Sequence, residues 1–137
     1  MNVGTTFDCG DVLLIPVPFS DLTSAKQRPV VVITPNSYTE ASGGDFVAVG
    51  VTSNPLARAH SLGLTNDDLA EGELPKASRV RVDKIFNLNR DQVRKRFGRV
   101  KTEYLNGIVE AVTQTLCRHE VPAAKGGVEE GAAAKEA

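Results

Sequence analysis

Five polar residues of this 137-residue chain stand where predicted strands begin or end. Arg28 just precedes a β-branched run, and Thr52 and Ser53 close another apolar run. Arg81 and Asp83 are two residues apart, so both project from the same face of their strand. Strand ends on one side of an antiparallel or barrel sheet converge. We therefore expect two guanidiniums, hydroxyls and one carboxylate to surround a single phosphodiester.

RNA cleavage without a metal requires groups of these types. A base takes the proton from the 2′-hydroxyl, cations stabilise the dianionic phosphorane, and an acid protonates the leaving 5′-oxygen. In this scheme Asp83 is the base, while Arg28 and Arg81 stabilise the phosphorane. Thr52 donates a hydrogen bond to a phosphoryl oxygen. The residue types therefore fit metal-free RNA cleavage.

The same residues also have a structural interpretation. Pro29 fixes how Arg28 approaches its strand, where the guanidinium can meet a phosphate or a carboxylate, or form an ion pair at the barrel rim. Arg81 and Asp83 have the spacing of a common structural ion pair, and on spacing alone this interpretation leads. His60 can act as an acid or base, but a single loop histidine is more often incidental.

Positive charge is concentrated in one segment, although the net charge of the chain is −1. Between residues 76 and 101 the only acids are Asp83 and Asp91. Such a basic stripe indicates polyanion binding, although most charge runs are solvated faces. Its basic residues are Lys76, Arg79, Arg81, Lys84, Arg90, Arg94, Lys95, Arg96, Arg99 and Lys101. Of these, Lys76, Arg79 and Lys84 are expected to contact substrate.

Several familiar chemical motifs are absent from the sequence. It has no Gly-rich phosphate loop with Lys-Ser/Thr, no nucleophile elbow and no His, Cys or carboxylate cluster at metal-ligand spacing. Cys9 and Cys117 are too few for a disulfide framework. We therefore expect no cofactor and no metal site.

The segment Met1–Asp11 has no basic block followed by an apolar block, so no signal peptide is expected. No stretch is long and apolar enough to predict a membrane span. The expected location is the cytoplasm, with no membrane partner.

The apolar pattern predicts a mainly β domain with short strands. Recurring Val and Ile, with Gly and Pro at short intervals, favour strands over helices. The main strands are expected at Val12–Val17, Val30–Ile33, Phe46–Thr52 and Ala77–Val82. Shorter ones are expected at His60–Leu64, at Ile85–Leu88 beyond a bend, and within Val93–Val100. Residues 22–27, 38–45 and 67–75 are predicted to be connections.

Helical periodicity is clear in one segment, which begins at Thr102 as a candidate N-cap. Its apolar stripe is Leu105, Ile108, Val109, Val112 and Leu116. Such a helix is expected to lie across an open end or side of the sheet. Residues 1–121 are predicted to form one domain, and 122–137, rich in Ala, Gly and Glu, a disordered tail.

The order of several motifs resembles the MazF/PemK family of toxin ribonucleases. The first is Gly-Asp-Val, three apolar residues and then Pro-Val-Pro-Phe-Ser-Asp-Leu, from Gly10 onward. Arg28-Pro29-Val30-Val31-Val32, Val51-Thr52-Ser53-Asn54 and the segment from Leu74 to Lys84 follow, and then come Gly98-Arg99-Val100 and the terminal helix. The similarity extends over about residues 9–116.

The resemblance implies a small Src-homology-three-like β-barrel with a C-terminal helix, which forms a homodimer. It implies metal-independent, sequence-selective cleavage of single-stranded RNA, including mRNA, restrained by a cognate antitoxin.

The resemblance also implies roles for individual residues. Arg28 and Thr52 match the catalytic pair of the MazF branch, and Arg81 and Asp83 match the acid and base of the PemK branch. Residues 20–27 contain no histidine, in contrast to the first loop of the PemK branch. Further substrate contacts are expected from Ser53, Asn54, Ser20 and Asp21.

Two other functions are compatible with this barrel. Related plasmid toxins bind and poison DNA gyrase without cutting nucleic acid, although Arg28, Thr52 and the basic stripe argue against this activity here. The other alternative is a degenerate protein that only binds RNA or an antitoxin.

Overall fold

Seven antiparallel strands form one curled sheet, which carries a C-terminal helix. The computed structural model describes residues 7–18, 25–54 and 59–116. The strands are β1 (Asp11–Pro18), β2 (Ala25–Val32), β3 (Asp45–Thr52), β4 (Ser61–Leu64), β5 (Leu69–Gly72), β6 (Ser78–Asn89) and β7 (Lys95–Val100). Their order in the sheet is β4-β6-β3-β2-β1-β7-β5. The helices are α1 (Asn36–Ala41) and α2 (Thr102–Thr115), with 3₁₀ turns at Asn66–Asp68 and Arg90–Gln92. The predicted mainly β fold is confirmed.

Alternating side chains divide the buried residues into two clusters, one on each side of the sheet. The larger cluster includes Val49 and Val51 of β3 and Val80 of β6, and Ile108 and Val112 of α2 cover it. The apolar stripe predicted for this helix therefore faces the sheet, with Val109 and Leu116 remaining exposed.

The second cluster lies on the opposite side of the central strands. It contains Leu13, Ile15, Val30, Val32 and Phe46, together with three further buried residues. This side is therefore apolar along β1 and β2, and it becomes polar toward the end of β3, where the candidate site lies.

β2 begins at Ala25, three residues before Arg28, so the prediction that Arg28 precedes this strand is wrong. Arg28 pairs with Ile15 within the β1–β2 hairpin. The ladder between β2 and β3 contains only residues 30–32 of β2. Pro29 and Arg28 therefore lie beyond the end of that ladder, where a residue without an N–H donor is tolerated. The prediction placed the start of the strand where the polar residues give way to apolar ones, but the polar residues before Pro29 are already paired with β1.

A large bulge bends β6 in the middle. Val49 of β3 pairs with Ile85, whereas the next residue, Gly50, pairs with Arg81. Residues 82–84 therefore have no partner on β3, and the strand carries Asp83 and Lys84 at its bend. The prediction of two strand segments separated by a bend is confirmed.

All three predicted connections contain regular structure. β2 begins within residues 22–27, α1 occupies part of 38–45, and β5 with the preceding 3₁₀ turn occupies part of 67–75. In β5 only Leu69 is buried, so the strand has no alternating apolar pattern to reveal it. A helix as short as α1 likewise spans too few turns to show a period.

The N-cap of α2 is Lys101, rather than the predicted Thr102. Lys101 has an extended backbone, with ψ at 153°, and its carbonyl accepts the first helical hydrogen bond, from Leu105. Among the described residues, no side chain caps this end. Thr102 is therefore already helical, and its hydroxyl does not have the predicted capping role.

The predicted basic stripe is split between two strands. Its first part lies on β6 and its last part on β7, and β3, β2 and β1 separate these strands in the sheet. The ten residues therefore do not form one continuous strip of the sheet.

Some predictions fall outside the described residues: the contacts of Ser20 and Asp21 and the tail at 122–137. Within the described ranges, no helix is both long and apolar enough to cross a membrane. The same ranges contain no group of three His, Cys, Asp or Glu side chains placed to hold a metal ion.

Candidate active site

Arg28, Thr52, Arg79 and Arg81 share one face of the sheet. Thr52 pairs with Arg79, and Gly50 pairs with Arg81, across β3 and β6. On the other side of β3, Gly50 pairs with Val30 of β2. Arg28 is two residues before Val30, so it lies on the same face and beside the end of β3. The structure therefore brings together three of the predicted cations and the predicted hydroxyl donor.

Arg81 and Asp83 form a closed ion pair at the bend of β6. The Nε and Nη2 atoms of Arg81 donate to the two carboxylate oxygens of Asp83, at 2.9 and 2.8 Å. Both side chains are partly exposed, at 21% and 30%. The hydrogen bonds from Arg81 lower the pKa of Asp83, and they raise the pKa of Arg81. Asp83 is therefore an ionised proton acceptor near neutral pH, although a weaker base than an unpaired aspartate.

Thr52 ends β3 and organises the loop that follows. Its Oγ1 accepts a hydrogen bond from the backbone N–H of Asn54, at 3.1 Å. The hydroxyl hydrogen is then directed away from this N–H and can be donated to another group. Ser53 and Asn54 are exposed next to it. The three residues form one short polar segment beside Arg28 and Arg79.

Arg79 is held by a residue that sequence reasoning missed, Ser61 of β4. Its Nε donates to the Ser61 hydroxyl at 2.9 Å, and its Nη2 donates to the Ser61 carbonyl at 3.3 Å. The two residues are 18 positions apart, so no local motif reveals the contact. The only signal is that Ser61 and Gly63 alternate with the apolar Leu62 and Leu64 and thus face the same side as Arg79.

Three other candidate residues, Lys76, Lys84 and His60, lie at the ends or the bulge of β6 and are exposed. Lys76 is exposed before β6, and its carbonyl accepts from the Ser78 hydroxyl. Lys84 is exposed at the bulge, and a Cβ at Gly50 would lie 3.3 Å from its Cβ. His60 is exposed and holds the β6 bulge by accepting a hydrogen bond from the Val82 N–H, at 3.0 Å, through its carbonyl.

The cations of β7 belong to a separate structural network. Asp11 is fully buried, and its carboxylate accepts from Arg99 at 2.7 Å and from Arg96 at 3.0 Å. The backbone N–H of Asp8 donates to the same carboxylate at 2.9 Å. Arg96 also pairs with Glu71 of β5. These guanidiniums join β1, β5 and β7, so the cations of the candidate site come from β2 and β6.

Residues 8–116 match the sequence profile of a family described as PemK-like, MazF-like toxin of type II toxin-antitoxin system. A comparison with curated proteins found no match.

Several solved structures share this fold. A mycobacterial endoribonuclease in complex with its cognate antitoxin has a TM-score of 0.62 at 19% identity, covering 79% of this chain and 92% of its own. A MazE-MazF structure from Deinococcus radiodurans has a TM-score of 0.65 at 17% identity, covering 80% and 95%. The Mycobacterium tuberculosis toxin MazF-mt6 has a TM-score of 0.55 at 15% identity, covering 74% and 93%. These similarities establish the shared fold.

Proposed function

The chain belongs to the PemK-like, MazF-like toxin family of type II toxin–antitoxin systems, and from this membership we propose that it is an endoribonuclease. It cleaves single-stranded RNA, including cytoplasmic mRNA, at selected sequences, and it needs no metal ion. The observation that carries the proposal is the placement of Arg28, Thr52 and Arg81 on one sheet face, with Asp83 bonded to Arg81.

The nucleophile is the 2′-hydroxyl of the substrate beside the scissile phosphate. Asp83 accepts its proton as the 2′-oxygen attacks phosphorus and the bond from phosphorus to the 5′-oxygen breaks. Arg28 and Thr52 donate to the phosphoryl oxygens, which carry the growing negative charge. Arg81, which has the acid role in the family resemblance, donates a hydrogen bond to the leaving 5′-oxygen, and this oxygen takes a proton from solvent as it departs. The products are a 2′,3′-cyclic phosphate, or its hydrolysed form, and a 5′-hydroxyl.

The Arg81–Asp83 pair supports a mechanism in which the substrate activates the base. The guanidinium now lowers the pKa of Asp83 by donating to both of its oxygens. A phosphate that binds Arg81 competes for the same donors, so Asp83 loses hydrogen bonds to its charged form. Its proton affinity then rises at the moment when the 2′-hydroxyl arrives.

The experiment compares two oligonucleotides that differ at one ribose, in the presence of EDTA. The cleavage site is first mapped on mixed single-stranded RNA, and the ribose 5′ to the scissile bond is then replaced by deoxyribose. We expect the ribose substrate to be cut and the deoxy analogue to bind without cleavage, since phosphate contacts supply most of the affinity. Asp83→Asn is expected to show the same lost rate and retained binding. Cleavage of the deoxy analogue at that bond would contradict this mechanism.

The closed Arg81–Asp83 pair also favours a second candidate function, a non-catalytic protein that binds RNA or an antitoxin. In this case the pair is a structural ion pair, which matches its spacing and its short hydrogen bonds. Binding of both oligonucleotides with cleavage of neither would select this function.

We expect the cognate antitoxin to inhibit by covering the same face of a homodimeric toxin. An acidic antitoxin segment would compete with RNA for the cations of β6. Salt would weaken the binding of this segment by screening the attraction between charges. A competition titration with a non-cleavable RNA tests this. If antitoxin and RNA bind together without mutual loss of affinity, the competition model is wrong.

A further inference from the structure

Arg79 extends the polar face from β3 toward the edge strand β4. It pairs with Thr52 on one side of β6 and with Gly63 on the other. Its two hydrogen bonds to Ser61 draw the guanidinium over β4, away from Thr52. The guanidinium of Arg79 therefore lies toward β4, rather than beside Thr52, which is proposed to contact the scissile phosphate.

Hydrogen bonds to the protein involve only one edge of the Arg79 guanidinium in the described part of the chain. Nε and Nη2 donate to Ser61, whereas Nη1 donates to no protein group among the residues that the structure describes. A Cβ placed on Gly63 would lie 3.7 Å from Nη1. Gly63 has no side chain to pack on this nitrogen, which lies over the Gly63 backbone.

Arg79 also differs from three other arginines in the kind of group that its guanidinium binds. Arg81 pairs with Asp83, and Arg96 and Arg99 pair with Asp11. In the described part of the chain, by contrast, the hydrogen bonds of the Arg79 guanidinium go to the neutral oxygens of Ser61. An anion that binds Arg79 thus has no carboxylate to displace.

We propose that Arg79 binds the phosphate of a nucleotide adjacent to the scissile one, and that Ser61 is the positioning residue that aims it. The side chains of Arg79 and Arg81 start two residues apart on one strand face, a separation of about 6.8 Å. This is comparable with the spacing of successive phosphates along an extended single strand. This inference rests on the proposed function, because it takes the ligand to be RNA.

The first test measures binding of the mapped deoxy-substituted oligonucleotide as a function of salt. Each phosphate contact in a single strand contributes about 0.7 to the slope of log K against log salt. We expect Arg79→Met to weaken binding about tenfold and to reduce the slope by about 0.7. The matched control is Arg94→Met, since Arg94 is exposed and donates to the backbone carbonyls of Asp91 and Gln92. The control removes the same charge and is expected to leave both quantities nearly unchanged.

The second test separates positioning by Ser61 from general stabilisation of β4. Ser61→Ala is expected to weaken binding several-fold in the wild-type background and to have no further effect in the Arg79→Met background. Ser61→Thr keeps the hydroxyl and is expected to restore most of the affinity. Thermal melts of all variants check the fold. A Ser61→Ala effect that is equal in both backgrounds would overturn the positioning role.

The outcomes distinguish this inference from the proposed function. If the wild type cleaves the ribose substrate while Arg79→Met binds with unchanged affinity and slope, only the inference is wrong. If Arg79→Met loses affinity for an acidic antitoxin peptide but not for RNA, the RNA assignment is overturned. If the wild type neither binds nor cleaves RNA, both proposals are wrong.

Discussion

Arg81 donates to both carboxylate oxygens of Asp83, at 2.9 and 2.8 Å, so the proposed general base is already bound to a cation in the free protein. These hydrogen bonds lower the pKa of Asp83. The pair therefore has a direct consequence for the pH dependence of cleavage.

We predict that kcat/KM stays constant as the pH falls from 7 to 5. This quantity reports groups of the free enzyme, and Asp83 remains ionised until the pH falls below the ordinary aspartate pKa of about 3.9. Initial cleavage rates at low substrate concentration measure it, and a thermal melt at each pH confirms folding. An inflection within this pH range would instead show that a group other than Asp83 is the base.

Loss of Arg28 or Thr52 is predicted to abolish most of the cleavage rate without unfolding the protein. Each removes a donor to an oxygen that becomes charged in the transition state, which typically costs about a hundredfold or more. The variants are Arg28→Ala and Thr52→Ala, compared by single-turnover rates and by melting temperature. Thr52→Ser is the matched control, since it keeps the hydroxyl that accepts from Asn54. A variant as active as the wild type would remove its residue from the site.

Asp11→Ala is predicted to reduce the free energy of unfolding by about 2–3 kcal/mol, because it removes buried hydrogen bonds to Arg96, Arg99 and the Asp8 backbone. The control is Glu71→Ala, which removes the other partner of Arg96. The Glu71 side chain is 53% exposed, so its loss is expected to cost less than about 1 kcal/mol. Urea unfolding of both variants measures the difference. Equal effects would show that the burial of Asp11 is not important for stability.

Gly72→Ala is predicted to destabilise the protein by about 3 kcal/mol or more. Gly72 has a φ of +85°, and a Cβ there would lie 2.0 Å from the Phe97 carbonyl oxygen. Gly43 is the control, because its φ is +70° and no atom lies within 4 Å of an added Cβ. Gly43→Ala isolates the backbone cost, about 1–2 kcal/mol. Chemical denaturation measures the free energy of unfolding of both variants. If Gly72→Ala and Gly43→Ala lose the same amount, β5 and β7 do not approach each other closely at Gly72.

Strong periodicity explains which elements were predictable from sequence. β3 and α2 each bury a regular set of side chains, and the predicted spans match the observed ones within about one residue. β5 and α1 bury one residue each, so their sequences contain no repeated signal. These elements are stabilised by contacts with distant parts of the chain, which a local pattern does not record.

The candidate site shows the same division between local and distant information. The Arg81–Asp83 pair follows from a spacing of two residues and was predicted as an ion pair. The contact of Arg79 with Ser61 depends on how β4 pairs with β6, and the burial of Asp11 depends on β7. A charged residue at the start of an apolar run, as Asp11 is, could have indicated a buried ion pair.

The hydrogen bonds of β4 also affect whether another chain can pair its backbone with this edge of the sheet. β4 is an edge of the sheet, and its Ser61 and Gly63 carbonyls accept from the side chains of Arg79 and Tyr104. An exposed edge normally offers such carbonyls as a template for a foreign strand, which leads to aggregation or to strand addition. Here an incoming strand would first have to displace two side chains. This edge is therefore protected against sheet extension, and a binding partner must use side chains rather than backbone pairing at β4.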